Sequence, residues 1–163
     1  MPASRAYSYL IKILSMRDYS EHKLREKLRE KKFPPEDCEA AINEIKSRGY
    51  LREDSYTEAR IKGFMNKGYS INYVRQKLAQ EQLSVTDEQI EEVFREHQIT
   101  EESQIERLAQ KKIGTKSELD FDQQSKILRY LMTKGHNYSQ SKKILKNLIS
   151  GELISDDSHE NFN

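Results

Sequence analysis

Tryptophan is absent from this chain of 163 residues, and cysteine occurs once, at Cys38. A lone cysteine closes no disulfide within the chain, which excludes the disulfide-stapled secreted scaffolds and makes a reducing, cytoplasmic setting the expectation. Proline is limited to three residues and glycine to six, so collagen-like and loop-dominated chains are excluded as well. No apolar run approaches the roughly 18–20 residues that span a bilayer. The first residues also lack the basic-then-apolar order of a secretory signal. Apolar residues are themselves scarce, 35% against 34% charged. That balance favours helices with wide polar faces over a thick central core. Net charge is only +1, so bulk attraction to nucleic acid is not implied. The distribution is more informative: residues 81–106 are strongly acidic, whereas 111–146 are rich in lysine with few acids.

What is present is helical periodicity. Ala6, Tyr9, Leu10, Ile13 and Leu14 predict a helix over about 3–17. Ser20 is a candidate N-cap with Glu21 just inside, and Leu24 and Leu28 form the stripe of a second helix that ends near Phe33. Pro34-Pro35 stops it, and Pro35 suits the first position of a third helix carrying Ala41, Ile42 and Ile45. The stretch Gly49 to Thr57 closes that helix, is expected to give Tyr50 and Leu51 to a core, and opens the next helix on Glu53 and Asp54.

The pattern then recurs. At an offset of 50, Ile11 maps to Ile61, Tyr19 to Tyr69, Ser20 to Ser70, Leu24 to Val74 and Leu28 to Leu78. At an offset of 103, Leu24 maps to Ile127, Leu28 to Leu131, Phe33 to His136 and Ile42 to Leu145. Thr86 and Gln89 read as a capping box. The expected fold is therefore all-α: three tandem three-helix repeats at residues 1–52, 53–99 and 100–150, forming an elongated, curved helical stack. A polar, acidic tail at 151–163 is expected to be disordered. Gly63 falls inside a predicted helix, which would cost about 1 kcal/mol relative to alanine unless a neighbouring helix packs closely there.

Convergent catalytic groups are not found. Cys38 has no histidine at a helical neighbour position and reads as a packing residue. His22, His97, His136 and His159 show no metal-ligand spacing. Asp156-Asp157 with His159-Glu160 has the composition of a cation site but reads as a fortuitous acidic cluster, and Asp120 with Asp122 reads as helix capping. Lys112 to Lys116 falls far short of a phosphate-binding loop. No enzyme activity, metal or cofactor is expected.

Some basic residues follow the repeat. Arg25 maps to Arg75 and Lys27 to Lys77, while Lys31 maps to Lys134 and Lys23 to Lys126. Equivalent positions in a stack point the same way, so a ladder of positive charge facing phosphates is one reading, with Tyr19, Tyr69 and Tyr138 beside it. A solvated face of exposed ion pairs is the other, because Glu26 and Glu30 share the helix with Arg25 and Lys27. In the third repeat, Lys126, Arg129, Lys134, Lys142, Lys143 and Lys146 favour binding. The acidic run of Glu88, Glu91, Glu92, Glu96, Glu101, Glu102 and Glu106 reads as a solvated face or as a surface for a basic protein partner.

Three elements, taken in order, carry a resemblance: Gly49-Tyr50-Leu51 with Tyr56, the turn Arg17 to Glu21 followed by Leu24 and Leu28, and Lys126-Ile127 to Leu131 to Lys134-Gly135-His136. Together they resemble the RecX family of recombinase regulators from about Ala6 to Leu148. Departures are Arg52-Glu53 where that family has paired acids, Thr57 where alanine is usual, and His136 in place of an aromatic. The resemblance implies tandem three-helix repeats that lodge in the groove of the RecA–DNA filament and hinder its growth, ATP hydrolysis, strand exchange and co-protease role. It implies RecA and single- or double-stranded DNA as partners of a monomer, and some family members carry extra N-terminal sequence. A stand-alone DNA-binding protein with helix-turn-helix-like repeats is the alternative, and a helical scaffold for another protein is a third.

Overall fold

The computed structural model describes residues 4–151, and these form nine α-helices and no strand. In order they are α1 (Arg5–Leu14), α2 (Glu21–Glu30), α3 (Pro35–Ser47), α4 (Glu53–Asn66), α5 (Ile71–Gln80), α6 (Asp87–Glu96), α7 (Glu101–Ile113), α8 (Phe121–Thr133) and α9 (Tyr138–Ser150). Local chemistry sets their starts. Side-chain oxygens of Ser4, Ser20, Thr86, Thr100, Asp120 and Asn137 each accept a first-turn backbone N–H, one of the donors that a helix leaves unpaired. The Thr86–Gln89 capping box is present at 3.2 and 2.8 Å, and Pro35 opens α3. The first helix ends at Leu14, short of residue 17. There the Ser15 hydroxyl donates back to the Lys12 carbonyl at 2.6 Å and the Met16 N–H to Ile13 at 3.1 Å, tightening the final turn.

The described residues form two compact units. One takes in the chain up to Ile61 together with Lys77–Val85; the other takes in Lys62–Gln76 together with the chain from Thr86 onward. The division passes through α4 and α5, so the middle set of helices contributes to both units.

In the first unit α1 and α2 both pack on α3. Leu10, Leu24, Leu28, Ile42 and Ile45 are fully enclosed with Ala6, Ala41 and Cys38, and Tyr9, Phe33 and Leu51 close the margin. Burying each large aliphatic side chain contributes roughly 1.5–3 kcal/mol. Cys38 packs here with its Sγ 3.6 Å from the Phe33 carbonyl. Tyr50 departs from expectation. It is 45% exposed and lines an open cleft of about 540 Å³ with Tyr7, Ile11 and Leu14, at whose rim Arg52 donates to Asp18 at 3.1 Å. Of the pair expected in the core, Leu51 alone packs there, while Tyr50, its N–H donating to the Ile45 carbonyl at 3.0 Å as the chain leaves α3, borders the cleft.

In the second unit α7, α8 and α9 enclose Ile105, Leu108, Ala109, Ile127, Leu131, Ile144 and Leu145. Gly63 lies in α4 with open space where a Cβ would stand, so close helix packing is not the reason for it. The expected tail lies, beyond Gly151, outside the described residues.

Candidate binding surface

Each unit holds its loops by one repeated device. The N–H of Glu21, at the start of α2, donates to the Glu53 carboxylate at 3.0 Å; that of Ile71, at the start of α5, donates to Glu101 at 3.2 Å. In both cases the first residue of a later helix caps an earlier one, 32 and 30 residues back. Glu53 and Glu101 therefore reach beyond the starts of their own helices.

The turn between α4 and α5 is gripped within the second unit. Gln104, 1% exposed, donates its Nε2 to the carbonyls of Met65 (3.1 Å) and Tyr69 (2.9 Å). Arg107 donates to Asn66 at 3.1 Å, and the Ser70 N–H to the Lys134 carbonyl at 2.9 Å. His136, 4% exposed, lies 2.7 Å through Nε2 from the Gly68 carbonyl, which requires the proton on that nitrogen. Burial pushes the His136 pKa below its ordinary value, and the Gly68 bond and Glu101 oppose that only in part. The imidazole is thus neutral and structural, consistent with the packing role of Phe33 and Leu83 at equivalent positions. Gly135 completes the grip: its φ is +88°, and a Cβ there would stand 2.4 Å from Ser70 Oγ and 2.8 Å from Tyr73 Cβ.

Against this frame the basic positions fall into two groups. Arg25 is half-buried and donates to Glu39 at 2.7 and 3.1 Å and to Glu21 at 3.1 Å, while Lys46 holds Glu21 at 2.7 Å. Its pKa is raised, chiefly by the Glu39 hydrogen bonds, and that of Glu21 is lowered, chiefly by Lys46. Arg75 likewise meets Asp87 at 3.2 Å and bonds Asn72. Lys27 sits 5.3 Å from the Tyr19 ring centre, Lys31 5.6 Å from Tyr9, and Lys77 is half-buried. Lys134 is half-buried over Tyr69 at 4.1 Å and Tyr130 at 5.6 Å.

The remaining positions are open. Lys126 and Arg129 are exposed on α8, and Lys142, Lys143 and Lys146 on α9; none of the five forms an ion pair with a described residue. The α9 sequence contains no acid, and its spacing sets Tyr138, Lys142 and Lys146 one turn apart along the exposed side. Tyr138 is 48% exposed with Lys142 5.9 Å from its ring centre. Tyr19 and Tyr69 are engaged within their units. Tyr19 stacks on Tyr56 at 6.5 Å, and Tyr69 stacks on Tyr73 at 4.1 Å with Phe64 edge-on at 5.7 Å. The sequence set Tyr19 and Tyr69 beside a basic ladder, free to stack on bases, whereas here both rings are taken up by Tyr56, Tyr73 and Phe64.

Glu88, Glu91, Glu92, Glu96 and Glu102 are exposed, Glu92 pairing with Arg95, while Glu101 serves as the cap described above. Among the described residues no group of three His, Cys, Asp or Glu is placed to hold a metal, and no helix is long and apolar enough to cross a membrane.

Comparison with known proteins places this arrangement. The model described as "RecX, first three-helix domain" matches residues 6–44, and that of "RecX, third three-helix domain" matches residues 100–145. A regulatory protein RecX of Haemophilus influenzae strain PittEE is 30% identical over 134 residues, covering 82% of this chain and 88% of the relative. One from Cronobacter sakazakii is 29% identical over 160 residues, covering 90% and 96%. The fold is shared with a crystal structure of regulatory protein RecX (TM-score 0.65, 21% identity, 88% of this chain and 70% of that one). It is also shared with RecX from Lactobacillus salivarius (TM-score 0.63, 20% identity, 90% and 96%).

Proposed function

This chain belongs to the RecX family, and from that premise we propose that it binds RecA recombinase filaments and modulates them, mainly by inhibition. The activities affected are filament growth, ATP hydrolysis, strand exchange and the co-protease role. The protein acts as a cytoplasmic monomer, without catalysis or cofactor, through three helical repeats at 1–52, 53–99 and 100–150. The observation that supports this best is the family match, which spans most of both chains.

The physical reading is a binding surface without a reaction centre. Contacts to successive filament subunits, each weak, combine through effective concentration. DNA within or beside the filament meets Lys142, Lys143 and Lys146, with Lys126 and Arg129 on α8 and Lys134 at the turn. Lys27, Lys31 and Lys77 complete the proposed RecA- and DNA-binding set, with Arg25 and Arg75 at its edge, where their carboxylate partners take up their charge and leave no net pull on phosphate.

Titrating the protein into a DNA-dependent RecA ATPase assay is the test. The rate is expected to fall with dose, and an unchanged rate at saturating protein across several salt concentrations would contradict the proposal. One observation favours a second reading, of a DNA-binding protein that acts alone. Helices α8 and α9 are joined by the short Lys134–Asn137 turn, and both carry open cations, Lys126 and Arg129 on the first and Lys142, Lys143 and Lys146 on the second. Strong preference for one duplex sequence with no recombinase present would support it.

A further inference from the structure

We infer that the cleft of the first unit, lined by Tyr7 and Tyr50, is a docking site for a partner protein, and that it takes one bulky apolar side chain from a segment carrying carboxylates beside it. The partner's identity, the recombinase filament, rests on the proposed function; the chemistry of the cleft does not.

Size and lining favour a side chain. The cleft holds about 540 Å³, within the roughly 300–1,000 Å³ of ligand pockets. Ile11 and Leu14 of α1 supply aliphatic surface, Tyr7 and Tyr50 supply aromatic surface, and Asp18 and Arg52 are the charged residues of the lining. No lysine lines it. Of the large apolar side chains described in the first unit, Met16 and Tyr50 are the exposed ones, at 78% and 45%. Tyr50 lines the cleft, and Met16 directly follows Ser15, another lining residue. Single exposed apolar residues scattered over a surface are ordinary, but a gathering of them beside a cleft marks an interaction site. Tyrosine, methionine and arginine are also the types enriched at the centres of protein interfaces, where lysine is depleted.

Charge decides what accompanies that side chain. Residues 4–17 carry Arg5, Lys12 and Arg17, all exposed, and no acid. None of the three forms an ion pair with a described residue. The α1 side is therefore positive, and the complementary segment is acidic. Arg52 is exposed and engages Asp18 through Nε at 3.1 Å, which leaves the terminal amino groups of its fork for an acceptor from outside. Arg48, paired with Glu44, lies 5.9 Å from the Tyr7 ring centre.

The first arm of the test needs no recombinase. The peptide acetyl-Glu-Phe-Glu-amide is titrated into the full chain to about 10 mM, because a lone anchor residue gives only about millimolar affinity. In ¹H–¹⁵N spectra, amide shifts are expected to gather at Tyr7, Ile11, Leu14, Gly49 and Tyr50. Acetyl-Glu-Ala-Glu-amide, which lacks the ring, should bind at least about tenfold more weakly. Tyr50→Ala, a change at an exposed position, should abolish the shifts. Silence at the cleft, or equal shifts from the two peptides, overturns the inference. Thymidine monophosphate moving the same amides at lower concentration than the phenylalanine peptide also overturns it, since the cleft would then take a base.

In the second arm, Tyr50→Ala is expected to weaken binding of the labelled protein to RecA–oligothymidine filaments by about tenfold or more. Tyr50→Phe should restore that affinity, and affinity for oligothymidine alone should not change. Equal losses on filament and free oligothymidine would overturn a protein occupant. Filament affinity untouched by Tyr50→Ala would overturn the filament as the cleft's partner. If the unaltered protein binds no filament, it is the proposed function that fails, and the peptides still decide the cleft.

Discussion

In the first unit Arg25 reaches Glu39 at 2.7 Å and Glu21 at 3.1 Å, and Lys46 closes the network on Glu21 at 2.7 Å. On α9, Lys143 and Lys146 meet no carboxylate among the described residues, and Lys142 meets only the edge of Tyr138's field at 5.9 Å. The same repeat thus uses cations in two ways. In its first copy Arg25 and Lys46 tie α2 to α3 through Glu39 and Glu21, and in its third Lys142, Lys143 and Lys146 stand open on α9. A partly exposed network of this kind is worth little to stability per pair, yet it cancels the field that would attract a phosphate. The lesson is that a basic residue's recurrence in the sequence says where it sits, while its neighbours decide whether its charge is available.

The turns after the second helix of each copy extend the comparison to stability. Lys32, Gln82 and Gly135 stand at equivalent positions, all with positive φ, at 63°, 58° and 88°. In the third copy the glycine is required twice, by conformation and by the approach of Ser70 and Tyr73. Gly135→Ala is therefore expected to have the largest effect, about 2–4 kcal/mol lost in urea denaturation. A loss under about 0.5 kcal/mol would show that the grip on the α4–α5 turn yields easily.

Next comes His136. Its folded pKa lies below the unfolded value of 6.5 because burial disfavours the charged ring. The unfolded chain then binds the extra proton first as pH drops. The stability contributed by neutral His136 is full above 6.5 and is lost as pH falls from there toward the folded pKa. Denaturation midpoints measured between pH 7.5 and 5, ranges chosen around that value, should fall on the acid side, and His136→Gln should flatten the trend. An equal slope in both proteins would assign it to other groups.

The smallest effect is expected at the exposed counterpart. Lys32→Gly should gain about 0.5–1 kcal/mol, the relief of a left-handed side-chain residue less the added freedom of glycine when unfolded. If Lys32→Gly costs as much as Gly135→Ala, the two turns are not equivalent.

Much of the helical frame was legible beforehand. Ser20, Pro35 and the Thr86–Gln89 box gave helix starts, and the apolar stripes gave Leu24, Leu28, Ile42 and Ile105 to cores, because period and capping are local properties. Tyr50 was misplaced because the joint between α3 and α4 lies outside any helix and so has no helical period to assign its face. Glu53 and Glu101 as caps at a distance, Gln104 as a turn clamp and the Tyr69–Tyr73 stack were invisible because each depends on residues about 30 or more apart, or on a side-chain direction. The candidate surface was only half legible: Lys142, Lys143 and Lys146 stood out by lacking acids in sequence, whereas the pairing of Arg25 with Glu39 emerges from how α2 lies on α3.

The salt dependence of nucleic-acid affinity tests the contrast between paired and open cations most directly. Replacing Lys142, Lys143 and Lys146 by glutamine together is expected to weaken binding and to reduce the slope of log affinity against log salt by about 2–3, since each phosphate contact contributes roughly 0.7–0.9. Arg25→Gln, at a charge already held by two carboxylates, should leave that slope unchanged. An unaltered slope in the triple variant, or an equal change from Arg25→Gln, would contradict the account.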